Sequence, residues 1–130
     1  MKLNRSTGYG LLAVAYIAQN KDQGLIQSQD VAKKYNIPLE YLFKILQQLV
    51  RARILQSKRG PRGGFSLARP ATKITMLDVV EAVEGTFDIS LGFEERGPRD
   101  KFAIKTEQVY AKAVAQHKVE LKKAKLSDLI

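Results

Sequence analysis

Residues 28–67 read SQDVAKKYNIPLEYLFKILQQLVRARILQSKRGPRGGFSL. Ser28 precedes Val31, Ala32 and Tyr35, apolar positions at helical spacing, and is placed to N-cap a short helix with its hydroxyl. Asn36-Ile37-Pro38 forms a turn, with Ile37 directed to the core and Pro38 in the first turn of the next helix, where a missing N–H is no loss. That helix, about 38–52, has two faces. Leu42, Ile45, Leu46 and Leu49 make a core stripe at i, i+3, i+4 and i+7. Tyr41, Lys44, Gln48 and Arg51 lie opposite, with Glu40, Phe43 and Gln47 beside them. Two short strands follow at 54–58 and 65–68, with Leu55, Ser57, Phe65 and Leu67 as inward residues, joined through the basic, glycine-rich Arg59-Gly60-Pro61-Arg62-Gly63-Gly64. Short helix, tight turn, amphipathic helix and basic hairpin, in that order, predict a winged helix-turn-helix. In such a unit one helix enters the major groove of duplex DNA and the hairpin reaches the backbone or minor groove.

Charge supports the same unit. The formal net charge is +9 over 130 residues. Residues 28–70 hold nine Lys and Arg against Asp30 and Glu40, net +7, whereas residues 71–130 hold ten of each sign. Positive charge concentrated in one segment points to a polyanion, because each neutralised phosphate releases condensed counterions. A basic surface kept only for solubility would not concentrate in this way.

Outward from this unit, a first helix is expected over about 6–19. The apolar run at 10–18 after Lys2 and Arg5 has the outline of a signal peptide. However, Tyr9, Leu12, Ala13, Tyr16 and Ile17 recur as one face of an amphipathic helix. The run is also far short of the roughly 20 residues that span a bilayer. A cytoplasmic protein with no membrane partner is expected. Thr75-Met76-Leu77-Asp78 is a capping box opening a helix through Val79, Val80 and Val83 that stops at Gly85. Residues 86–101 are loop-like, and a long helix spans about 102–125. Along it Tyr110, Val114, His117, Leu121 and Ala124 form a heptad-like seam, and with nothing after the helix to pack against it, the seam predicts dimerisation. The fold class is therefore mainly α with a small β-hairpin wing: a winged helix-turn-helix over 1–85, a loop over 86–101, and a dimerisation helix and tail over 102–130.

Candidate DNA contacts follow from placement. Tyr41 and Lys44 begin the recognition helix; lysine reaches guanine O6 and N7, and a tyrosine hydroxyl more often bonds phosphate. Phe43 is a large apolar side chain on a polar face, fit either to touch a thymine methyl group or to pack against the second helix or the wing. Arg51 and Arg53 suit phosphates or surface ion pairs, and Ser28 and Gln48 complete the candidate set with Arg59 and Arg62 of the wing. There, glycine permits close backbone approach, proline stiffens the tip and arginine can enter a narrow minor groove. No Gly-Lys-Ser/Thr follows, so the loop is not a phosphate-binding P-loop.

Catalysis finds little support. The chain has no cysteine, which excludes disulfides, thiolate metal sites and a cysteine nucleophile. The single histidine, His117, falls on the helical seam and suits a structural role. Asp88, Glu94, Glu95 and Asp100 are interleaved with Arg96, Arg99 and Lys101, the pattern of a solvated mixed-charge loop more than of a metal site.

Several blocks resemble the bacterial Rrf family of transcription regulators: Met1-Lys2-Leu3, Gly8-Tyr9-Gly10-Leu11, Asp30-Val31-Ala32, Ile37-Pro38-Leu39-Glu40-Tyr41-Leu42, the wing from Arg59 to Ala68, and Ile74 to Gly85. The resemblance is close over 1–87 and holds only in outline along the last helix. It implies a homodimeric regulator, usually a repressor, on a partly palindromic double-stranded operator, with dimerisation through the long C-terminal helix. By position it gives DNA-contact roles to Tyr41, Phe43, Lys44, Arg59 and Arg62. Many members hold an iron–sulfur cluster on three cysteines and a further ligand. In an ungapped register those positions are Gly92, Pro98, Ile104 and Glu107, so a cluster held in that way is ruled out and no cofactor is expected. The expectation is a cluster-free repressor responding to an effector protein or small molecule. Two alternatives are a regulator controlled by a partner protein docked on the 86–101 loop, and a nonspecific architectural DNA-binding protein.

Overall fold

The computed structural model describes residues 2–87 and 89–130; Met1 of the family resemblance and Asp88 of the acidic loop lie outside the described residues. Helix α1 (Arg5–Gln19) leads, after a single 3-10 turn at Lys21–Gln23, to α2 (Ser28–Tyr35) and α3 (Leu39–Arg51). Strands β1 (Leu55–Lys58) and β2 (Gly64–Leu67) pair antiparallel, α4 (Met76–Glu84) follows, and a loop with a 3-10 turn at Phe93–Arg96 leads to α5 (Lys101–Lys123) and the one-turn α6 (Leu126–Leu129).

The core forms between α1, α2, α3, β1 and α4. Leu42, Ile45, Leu46 and Leu49 of α3 are all buried, as their spacing predicts. The buried face of α1 is rotated from expectation: Gly10, Ala13, Val14, Ile17 and Ala18 point inward, and Leu12 is exposed. Gly10 explains the rotation, since a Cβ there would meet Val83 Cγ2 at 3.1 Å; its absence lets α1 press directly onto α4. Buried Thr7 donates its hydroxyl to Glu84 Oε1 at 2.7 Å, and Asn4 Nδ2 donates to Glu84 Oε2 at 3.0 Å. A carboxylate from the end of α4 thus sits at the positive N-terminus of α1.

The helix-turn-helix corner is built by backbone geometry. Asn36 takes the left-handed conformation at the end of α2 (φ 53°), the Ile37 N–H donates to the Ala32 carbonyl at 2.9 Å, and Ile37 drops into the core. Pro38 is the N-cap of α3, one place before the first-turn position expected of it. At the other end of α3, Arg53 is left-handed (φ 61°), its N–H donates to Val50 O, and the Ile54 N–H donates to Leu49 O. These are the two bonds of a Schellman cap, and Leu49 and Ile54, which the second of them joins, are both buried.

Ser28 does not cap α2. Gln27 is the N-cap and Ser28 the first helical residue, with no side-chain cap bond. The cause is a contact the sequence pattern did not reveal: Ile26 bridges Phe65, with N···O distances of 2.9 and 2.8 Å, and so holds the chain extended up to Gln27. Strand β2 therefore lies between β1 and this bridge. The register pairs Leu55 with Leu67 and Ser57 with Phe65, placing all four on one face as expected, but Ser57 is exposed because the hairpin projects beyond the core there.

The capping box forms as predicted: Asp78 N–H donates to Thr75 Oγ1 at 3.1 Å and Thr75 N–H to Asp78 Oδ2 at 2.9 Å. Two expectations about the C-terminal region need correction. Helix α5 stops at Lys123, and the chain returns to the core: Met76 N–H donates to Ala124 O, Leu126 N–H donates to Ile74 O, and Leu126 is 6% exposed. The seam is also occupied within the chain. Val114 is buried where α5 packs on α4, Tyr110, His117, Leu121 and Ala124 are half-buried, and His117 meets the ring of Phe87 edge-on at 5.2 Å. Among the described residues no helix is long and apolar enough to cross a membrane.

Because Leu126 fills a core site, Leu126→Ala is expected to lower the free energy of unfolding by about 2–5 kcal/mol in urea titration. A loss under about 0.5 kcal/mol, the scale of a surface substitution, would show that the C-terminal turn is not docked.

Candidate nucleic-acid interface

Burial of one stripe of α3 turns the other outward. Tyr41, Phe43, Lys44, Gln47 and Arg51 are exposed and Gln48 is half-buried. The outward face divides along two grooves. On the wing side, a cleft of about 530 Å³ brings Phe43, Gln47 and Arg51 together with Ser28, Gln29, Lys58 and Arg59. On the α1 side, a shallower cleft of about 360 Å³ is lined by Ser6, Tyr41, Lys44, Gln48 and Arg51. Arg51 borders both. The structure thus gathers every predicted site residue except Arg62 on these two clefts; Arg62 is exposed at the wing tip.

Tyr41 is more constrained than its position implies. Its hydroxyl is hydrogen-bonded to that of Ser6, and its ring meets Tyr9 edge-on at 5.8 Å. It therefore braces α3 against α1 while remaining 42% exposed. Phe43 does half of each thing the sequence left open: it packs edge-on against Phe65 at 6.5 Å and is still 45% exposed.

The wing is held to the body by its glycines. Gly63 N–H donates to Gly60 O at 2.9 Å, and the Gln27 side-chain amide donates to the Gly63 carbonyl. A Cβ on Gly63 would overlap the Lys58 carbonyl oxygen, and one on Gly64 would stand 2.7 Å from the Ile26 carbonyl oxygen. Both glycines are thus required by close backbone approach, Gly63 within the hairpin and Gly64 against Ile26.

The family model Rrf2, described as an iron-dependent transcriptional regulator, matches residues 3–130. The chain belongs to the Rrf2 family. It is 43% identical over 86 residues to a Rhodopseudomonas palustris protein named as the HTH-type transcriptional regulator BadM, a match covering 66% of this chain and 54% of that one. Among solved structures it resembles IscR of T. potens (TM-score 0.76, 25% identity, covering 99% of this chain and 85% of that one). It also resembles the oxidised form of Staphylococcus aureus CymR (TM-score 0.77, 26% identity, covering 99% and 95%). The Rrf2 chain spans about half the length of the curated relatives it matches. The family and these relatives are transcriptional regulators, not enzymes, and the winged-helix fold with a long C-terminal helix is shared.

The iron dependence in the family description finds no side-chain donor at the three cysteine positions of the cluster register. Of the four positions in cluster register, Gly92 is a left-handed loop residue, Pro98 and Ile104 offer no side-chain donor, and Glu107 is paired with Arg99. Among the described residues no three His, Cys, Asp or Glu side chains converge to hold a metal.

Sequence reasoning missed Gln27, Gln29, Gln47 and Lys58 as cleft residues. Gln47 was legible, since it lies one turn after Phe43. Gln27 and Gln29 reach the cleft only through the Ile26–Phe65 bridge, which has no local signature. Gly63→Ala is expected to displace the wing tip and weaken duplex binding tenfold or more, whereas Gly8→Ala, with nothing within 4 Å of its Cβ, leaves it unchanged. Equal affinities by fluorescence anisotropy would show that wing geometry does not matter.

Proposed function

We propose that this Rrf2 chain acts in the cytoplasm as a homodimeric, sequence-specific DNA-binding transcription regulator, a repressor that works without an iron–sulfur cluster. The observation that carries the proposal is the outward face of α3, flanked by a cleft shared with the basic wing on one side and a cleft shared with α1 on the other. Residues 1–85 form the DNA-reading unit, 86–101 a connecting loop, and 102–130 the dimerising element with its tail. In this assignment Lys44 and Gln48 read base edges from the major groove, and Tyr41 and Arg51 hold phosphates on either side. Ser28, at the start of α2, donates to the backbone, and Arg59 and Arg62 grip the flanking phosphates or minor groove. Phe43 completes the face. The arrangement fixes no reacting atom and needs none: the regulator acts by occupying its operator.

Homodimerisation has a different basis from the seam read in the sequence. With that seam turned inward, α5 presents Phe102, Val109 and Val119, which are 73%, 70% and 43% exposed and fall near heptad spacing along a helix about 35 Å long. A second copy would cover this stripe and set two α3 helices on the half-sites of a partly palindromic operator.

Two measurements test the proposal. Removing either wing arginine, as Arg59→Ala or Arg62→Ala, is expected to weaken operator binding and reduce the slope of log K against log salt by about 0.9, one phosphate contact each. An unchanged slope would remove the wing from the interface, and equal affinity of the unaltered chain for operator and scrambled duplex would favour a nonspecific architectural protein. Val109→Asp is expected to shift the sedimentation coefficient from dimer to monomer and to lower operator affinity at least tenfold; a dimer that survives would place the interface elsewhere.

A further inference from the structure

The DNA-facing surface of α3 carries an apolar pair that a purely electrostatic grip does not need. Leu39 and Phe43 stand one turn apart at the start of the helix, 42% and 45% exposed, beside Lys44 and Gln47. On the same helix four aliphatic side chains are at most 2% exposed, so these two are left outside by position. Phe43 is not loose. One edge of its ring rests on Phe65, at 6.5 Å and an interplanar angle of 77°. Phe65 is itself 7% exposed, its backbone N–H and C=O are both bonded to Ile26, and it stands opposite Ser57 in the hairpin register. The free part of the ring therefore projects at the mouth of the cleft between α3 and the wing, already braced, with Ser28, Lys58 and Arg59 around the rim.

That rim determines the occupant. The segment 28–70 carries a net +7, which suits a phosphate backbone and disfavours a basic or merely apolar partner. Within a duplex, phosphates and sugars are read by polar and charged groups, and the apolar group on the floor of the major groove is the C5 methyl of thymine. An aromatic edge flanked by a leucine, braced on Phe65 at the N-terminal turns of a recognition helix, is complementary to that methyl group. We propose that Phe43, supported by Leu39, reads a C5-methylated pyrimidine in each operator half-site, thymine in unmodified DNA and 5-methylcytosine where cytosine is methylated. The proposal rests on the DNA-binding function above and adds the chemical class of the base recognised. It also makes operator affinity sensitive to cytosine methylation at that position.

The test changes DNA by one methyl group at a time. Operator duplexes recovered from sheared genomic DNA are resynthesised with each thymine replaced in turn by deoxyuridine, and binding of the full chain is measured by anisotropy. One thymine per half-site is expected to show about fourfold weaker binding on replacement, the effect of one buried methyl group, and roughly fifteenfold when both half-sites are changed. With cytosine placed there, 5-methylation is expected to restore a similar factor. In Phe43→Ala both differences vanish. The deoxyuridine scan uses the unaltered protein, so it decides the matter even if the variant folds poorly. A flat scan with a retained preference for operator over scrambled duplex overturns the methyl-reading proposal and leaves the regulator function standing. Loss of any preference between those duplexes overturns both. A deoxyuridine effect that persists in a folded Phe43→Ala assigns the methyl contact to another residue.

Discussion

The packing of Leu42, Ile45, Leu46 and Leu49 into the core sets the rotation of α3 about its own axis, and the functional surface inherits its direction from that rotation. Each of these side chains contributes about 1.5–3 kcal/mol by leaving water, so a turn of the helix that exposed them would be far more costly than any surface contact could offset. With the stripe buried, Phe43, Lys44, Gln47 and Arg51 have one direction left to them. The helix ends are defined with equal economy of parts: Asn36 and Arg53 in left-handed conformations close α2 and α3, and Ile37 and Ile54 follow each into the core. Helix α3 is thus fixed at both ends.

Around that helix, the other elements control distance and angle. Gly10 draws α1 onto α4, Ser6 and Tyr9 of α1 steady Tyr41, and Gly63 and Gly64 allow the wing to lie close to Ile26 and Lys58. These contacts pre-organise the surface, which lowers the entropy cost of any binding there. In the proposed function, the concentrated positive charge acts at longer range, steering duplex DNA to a surface that selects it by a few short contacts.

Much of this was legible in the residues. Periodicity identified the two faces of α3, the alternation of apolar residues identified the hairpin, and the Thr75–Asp78 box identified the start of α4, because each depends on neighbours along the chain. What escaped depends on partners distant in sequence. Ser28 is a good cap by type, but the Ile26–Phe65 bridge moves the cap to Gln27. The heptad-like seam of α5 is real, but periodicity cannot distinguish a partner in the same chain from one in a second copy, and α4 takes it. Leu126 looks like a tail residue until the Ile74 and Ala124 backbone bonds return it to the core. Phe43 was ambiguous in the sequence for the same reason, since its exposure is set by Phe65, 22 positions further on.

Whether this surface selects a sequence or merely attracts charge is decided by equilibrating the purified chain with sheared genomic DNA in the presence of competitor and sequencing the bound fragments. A sequence-selective surface enriches a small set of promoters that share an inverted repeat, its half-sites about one helical turn apart or a multiple of it. Uniform recovery across the genome would contradict selection and leave only electrostatic association.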